Sequence, residues 1–257
     1  MTSSSVKTVD RLVRIVESFS ASEPAWTLTA LSRRLGLPKS TLHRFLSSLE
    51  THGILRQDRE SKRWLLGYRL FVWGSLAEQS TPWQEVARPI MRELVAETGE
   101  TALLTVYASQ EVLCLDKIET RHPVRLALDP GSARPPHAGA SSKALMAYLQ
   151  PAEVDCIVRQ KGLPRLCENT ITDPQELKSE LNKIREQGYA TSYHETDPGA
   201  WGVATPIRDW SGKVVAAIGV AGPDSRFSEE LAQRYASLCK AAAARISSAL
   251  SAQSMDA

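Results

Sequence analysis

The tripeptide Gly36-Leu37-Pro38 is the tightest constraint on how this chain can fold. A glycine two residues ahead of a proline ends one helix and opens the next. Thr27 offers an N-cap for the first helix, which carries Leu28, Leu31 and Leu35 on one stripe. On the far side Leu42, Phe45, Leu46 and Leu49 keep helical spacing up to a stop at Gly53. Two short helices joined by so short a turn leave the second projecting while the first braces it. Upstream, Val6, Val9, Leu12, Val13, Val16 and Phe19 predict an amphipathic helix over residues 6–20. Downstream, ILRQDRESKRWLL sets two short apolar-bearing runs around a charged centre at Asp58 to Lys62, the spacing of a β-hairpin. Residues 27–66 therefore read as a helix-turn-helix with a wing.

Charge says what such a module could meet. The 257 residues carry a net charge of only +2, but it is unevenly spread. Residues 1–80 hold 12 Lys/Arg against 7 Asp/Glu, a net of +5, which leaves 19 against 22, or −3, for the remainder. Between Arg33 and Arg69 the count is 9 basic to 3 acidic residues. A polyanion partner is implied for the first third only. In a helix-turn-helix the first turns of the second helix reach base edges, so Lys39, Ser40, Thr41, His43 and Arg44 are the candidates for contact with duplex DNA. Arg44 suits bidentate pairing with a guanine, while Ser40 and Thr41 can bond phosphates or bases. Arg59, Lys62 and Arg63 on the hairpin are placed for the DNA backbone or minor groove, and Thr27 joins the set at the start of the bracing helix. The bland alternative is an unrelated bundle of three amphipathic helices with a solvated basic face; the hairpin and the local basic excess weigh against it.

A further helix is predicted from Tyr68 to about Ser80, and Thr81-Pro82 breaks it. The expected domains are 1–67, a linker helix at 68–81, and 82–257. Beyond the break, helices are expected at 83–98, 142–149, 152–161, 173–187 and 228–251, and strands at 102–108, 112–118, 124–128, 189–194, 201–208 and 213–221. This mixture indicates an α+β domain in which helices pack on a sheet. A composition of 42% hydrophobic and 23% charged residues excludes disordered and fibrous classes. Cys114, Cys156, Cys167 and Cys239 stand far apart without metal spacing, so reduced thiols are expected and neither a metal nor a cofactor. With no signal-peptide pattern and no run of about 18 apolar residues, the expected location is cytoplasmic, with no membrane partner.

At several separated places the chain resembles the IclR-type bacterial transcription regulators. STLHRFLSSLETHGIL is similar to that family's recognition-helix signature, with Ser40, Thr41, Arg44, Leu46, Leu49 and Gly53 in the expected positions. WLLGYRLFVWG resembles the wing-to-linker signature through Leu66-Gly67, Leu70 and Gly74, and the likeness continues through HAGASSKALMA, GYATSYHETDPGAWGVATPIRD and VVAAIGVAGP. The resemblance implies two domains, a winged helix-turn-helix followed by a GAF-like or profilin-like mixed sheet with flanking helices that binds a small effector. It also implies a homodimer, with tetramers built from dimers, and operator binding that represses more readily than it activates. The effector positions it implies are Leu126, Ala140, Ser141, Ser192, Ala200, Gly202, Gly219 and Ala221. Backbone N–H groups near Ala140 to Ser142 would receive a carboxylate at a helix start.

Four of these positions depart from the family pattern. Members often carry an acid at the place of Ser192, a cysteine at Gly202 and serines at Gly219 and Ala221. The smaller, less polar set here favours an aromatic or otherwise bulky organic acid over a two- or three-carbon one. The bland reading of Gly219 and Ala221 is close packing against a helix. The arginine expected two residues after the loop glycine falls one later, as Arg134 after Gly131. His137 near Ser141 invites an enzymatic reading, but GxSxG, P-loop and HExxH patterns are all missing from the sequence. The rival to a regulator is a metabolite-binding protein or enzyme whose N-terminal helices mediate protein contacts.

Overall fold

A computed structural model describes residues 6–20, 22–79, 83–124 and 128–253, and the chain divides into two units, Met1–Thr81 and Pro82–Ala257. The first contains α1 (Lys7–Val16), β1 (Ala25–Trp26), α2 (Leu28–Leu35), α3 (Lys39–Thr51), β2 (Leu55–Gln57), β3 (Trp64–Leu66) and α4 (Tyr68–Gln79). Thr27 caps α2 by accepting the Ala30 N–H at 3.2 Å, and Gly36 closes it in the left-handed region at φ 66°, a conformation glycine adopts without steric cost. Ile15, Leu31, Leu42, Leu46, Leu55 and Trp64 form the core, so α1, α2, α3 and the hairpin share one apolar centre.

Two features differ from expectation. α1 stops at Val16 rather than reaching residue 20; the Ser18 hydroxyl donates back to the Arg14 carbonyl at 2.8 Å and Phe19 turns into the core. β1 is absent from the elements the sequence predicts. It pairs with β3 to make a three-stranded sheet in the order β1-β3-β2, and two residues are too few to show an alternation. Gly67 is required where β3 meets α4, because a Cβ there would overlap the carbonyl oxygen of Gly53.

The second unit holds α5 (Trp83–Thr98), β4 (Thr101–Ala108), β5 (Glu111–Ile118), β6 (Ala133–Arg134), α6 (Ala140–Met146), α7 (Pro151–Lys161), α8 (Pro174–Gln187), β7 (Ala190–Tyr193), β8 (Ala200–Arg208), β9 (Val214–Pro223) and α9 (Glu229–Gln253). Six strands form one antiparallel sheet in the order β6-β5-β4-β9-β8-β7. Ser109 and Gln110, at φ 53° and 62°, make the two-residue turn between β4 and β5, matching the right-handed strand twist. One face of the sheet packs on α5 and α9 through Met91, Leu104, Trp201, Ile218 and Ile246. The other packs on α6 and α8 through Ala144, Met146, Leu181, Ala204 and Ala217. Covered on both sides, β8 is buried from Ala200 through Ile207, which explains its nearly continuous apolar run.

The strand expected at 124–128 is corrected in part. Residues 125–127 lie outside the described residues, and Val124 and Leu128 at its ends are not in a strand. The sheet edge beyond β5 is instead the short β6. α6 begins at Ala140, two residues earlier than expected, so Ser141 and Ser142 fall in its first turn.

Candidate DNA interface and ligand cavity

Leucine spacing orients α3. Leu42, Leu46 and Leu49 are buried, which turns Lys39, Ser40, His43 and Arg44 to solvent with Thr41 half-buried between the two faces. Among the described residues, the side chains of Lys39 and Arg44 make no salt bridge or hydrogen bond. Arg34 on α2 is engaged differently: it pairs with Glu23 at 2.7 Å and lies over the Trp26 ring at 5.0 Å. Arg59, Lys62 and Arg63 are exposed on the wing. Asp58 shapes the wing tip, accepting the Ser61 N–H at 2.7 Å and the Ser61 hydroxyl at 2.6 Å; those bonds hold its carboxyl below the usual range. The wing is thus a turn built by one acid that displays three cations. Thr27 is exposed, but its oxygen already serves as the α2 cap.

The second unit contains a cavity of about 210 Å³ on the α6 side of the sheet. Ala140, Ser141, Ser192, Ala200, Gly202 and Ala221 line it, brought together from α6, β7, β8 and β9. Leu103, Leu128, Ala138 and Val220 add apolar wall, and Ser142, Thr196, Arg134 and Asp197 add polar groups. Gly202 leaves room, since a Cβ there would make only ordinary contacts at 3.4 Å or more. Leu126 lies outside the described residues. Gly219 is corrected: it does not line the cavity. A Cβ at Gly219 would overlap the Val203 carbonyl oxygen and stand 2.8 Å from the Ala204 Cβ, so it is a point of close approach between β9 and β8. The packing partner is a neighbouring strand, not a helix.

Behind the cavity wall, Lys143 is buried between two acids, 2.6 Å from Glu195 and 2.9 Å from Glu180. Glu195 also accepts the Gly139 N–H at 2.9 Å. Burial raises the Glu195 pKa, and Lys143 and the Gly139 N–H oppose that rise. His137 is buried beside the Pro164 carbonyl oxygen at 3.1 Å, and desolvation lowers its pKa. It is thus a loop histidine with a hydrogen bond of its own. Sequence reasoning noticed the displaced Arg134 but assigned it no role, and it missed Asp197 and Leu103; a pairing 63 residues apart leaves no local signal.

A basic recognition helix beside a wing, followed by a separately folded domain with its own cavity, defines the class of helix-turn-helix transcription regulators. The family description "IclR helix-turn-helix domain" matches residues 8–59, and "Bacterial transcriptional regulator IclR C-terminal" matches residues 77–248. The chain belongs to the IclR family of bacterial transcription regulators. It is 35% identical to the HTH-type transcriptional regulator BhcR of Paracoccus denitrificans, over 88% of this chain and 81% of that protein. It is 30% identical to the transcriptional repressor IclR of Escherichia coli, over 94% and 89%. Among solved structures it matches an IclR homologue of Microbacterium hydrocarbonoxydans complexed with 4-hydroxybenzoate, with a TM-score of 0.79 and 29% identity over 94% and 98% of the two chains. Both curated relatives are regulators of transcription, which sets aside the enzymatic rival.

Proposed function

We propose that this regulator binds a duplex operator through Lys39, Ser40, Thr41, His43 and Arg44, aided by Thr27, Arg59, Lys62 and Arg63, and that a small organic acid in the cavity controls that binding. Ala140, Ser141, Ser192, Ala200, Gly202 and Ala221 contact the acid, and Leu126 stays in the set by resemblance alone. The observation that carries this reading is the cavity itself, which among the described residues has largely apolar walls with one cation, Arg134, among its polar groups. Such a lining suits a carboxylate attached to a ring or a bulky apolar body. The Microbacterium relative was crystallised with a molecule of this kind. Repression is the direction favoured, as in the Escherichia coli relative, which is named a repressor.

The working form is a homodimer in the cytoplasm, with tetramers as pairs of dimers, because helix-turn-helix proteins read two half-sites with two-fold symmetry. Phe71 and Leu76 on α4 are 76% and 58% exposed, and a second copy would cover them. The test is a thermal-shift panel of aromatic and short aliphatic carboxylates on the purified chain. Aromatic acids should raise Tm, since a ligand that binds only the folded state stabilises it by mass action. Stabilisation by acetate-sized acids alone would overturn the assignment of a bulky effector.

A further inference from the structure

Arg134 and Asp197 face each other at the cavity, Arg134 on β6 at the sheet edge and Asp197 on the loop from β7 to β8. That loop is fastened on both sides of Asp197. His194 sits between Glu168 and Asp224, and Glu195 is held by Lys143 and the Gly139 N–H. Beyond Asp197, the Asp224 N–H donates to the Gly199 carbonyl oxygen at 2.8 Å. Between these anchors, the Asp197 carboxylate reaches across to the opposite wall.

Two other arginine pairs in this domain set a standard for comparison. Arg226 grips Glu100 with Nε and Nη2 at 2.6 and 2.7 Å, and Arg88 grips Asp116 with Nε and Nη2 at 2.6 and 3.1 Å. Arg134 offers Asp197 a single nitrogen, Nη2, at 3.1 and 3.4 Å. Among the described residues its Nε and Nη1 donate to nothing. Two-nitrogen pairs are the strong, specific ones, whereas a partly exposed single contact is weak and exchangeable. The difference lies in the acid: Asp197 is 47% exposed, against 3% for Glu100 and 7% for Asp116, while the three arginines are comparably exposed. Arg134 therefore keeps two donor nitrogens uncommitted beside a chamber whose other polar lining among the described residues, apart from Asp197, is uncharged.

We propose that Arg134 receives the carboxylate of the ligand and that Asp197 is its built-in competitor, so that an entering anion takes over Arg134 and releases the Asp197 loop contact. This rests on the reading above that the cavity holds a small organic acid. An internal carboxylate would also select against neutral ligands, because an uncharged group gains too little from Arg134 to displace an anion.

The test is isothermal titration of the full chain with 4-hydroxybenzoate and with its neutral analogue 4-hydroxybenzamide. The wild type should prefer the carboxylate. Arg134→Gln should weaken carboxylate binding about tenfold or more while leaving the amide unmoved, which erases the preference. Asp197→Asn should tighten the carboxylate severalfold and leave the amide unchanged; a purely structural ion pair would instead weaken both ligands in both variants. Persistence of the preference in Arg134→Gln, or weaker carboxylate binding in Asp197→Asn, overturns the proposal. A wild type that binds both ligands equally overturns the Arg134 assignment alone. A wild type that binds neither overturns the cavity reading beneath it.

Discussion

Lys143 shows how one residue can carry the shape of a site without touching a ligand. It is among the largest fully buried side chains, and its ammonium ties α6 to Glu180 on α8 and to Glu195 beside the cavity loop. Lys143→Met leaves two acids without their cation, and breaking a buried pair in this way costs about 3–5 kcal/mol. Urea unfolding should read that loss as a lower midpoint; an unchanged midpoint would mean the triad adds nothing to stability. His194 supplies the pH-dependent counterpart. The Glu168 hydrogen bond raises its pKa, with Asp224 adding to the effect. A raised folded-state pKa binds the proton more tightly than the unfolded chain does. The His194 contribution is therefore complete below the ordinary histidine value of about 6.5 and fades as pH rises through the folded value. Thermal scans from about pH 6 to pH 8.5 should show the wild-type advantage over His194→Gln shrinking with pH, whereas a constant gap would contradict the assignment. Gly202 and Gly219 mark a limit of reading residues singly. Both are strand glycines in the sequence, but only the fold shows that Gly219 is squeezed by a neighbouring backbone while Gly202 lies at the cavity with ordinary contacts around it.

Among elements, α2 and α3 were the most legible, because Gly36, Pro38 and the leucine stripes are local signals with a direct mechanical cause. The long strands and α5 were nearly as clear. β1 and β6 were not, since each has two residues and exists only by pairing with a strand more than 15 residues away. The wing lies between these extremes: its turn residues are local, and Asp58 organises its tip without long-range help. That independence makes the wing a clean place to probe contact with DNA. Removing a phosphate contact lowers the slope of log affinity against log salt by about 0.9. Lys62→Ala and Arg63→Ala should each reduce the slope by roughly that amount if they touch phosphate, with sequence preference kept. A slope identical to wild type in both variants would remove the wing from the interface.

Across the whole molecule, the division of labour was visible before any geometry. The basic excess is confined to residues 1–80 and the remainder is slightly acidic, so the charge that suits a polyanion is gathered in the helix-turn-helix unit. The cavity was legible only as a set of positions lent by family resemblance. Six of them converge on it, Gly219 does not, and the Arg134–Asp197 pairing emerges only when a sheet edge and a distant loop meet. No described helix is long and apolar enough to cross a membrane. The exposed face of α3 is the proposed site of operator recognition. Its most direct test is fluorescence anisotropy of the full chain on duplexes enriched from a random pool, titrated with salt and with 4-hydroxybenzoate. The expected outcome is a two-fold symmetric site bound with steep salt dependence, altered in affinity by the acid, and lost when Lys39→Ala and Arg44→Ala are combined. Sequence-specific binding that survives in this double variant would contradict it.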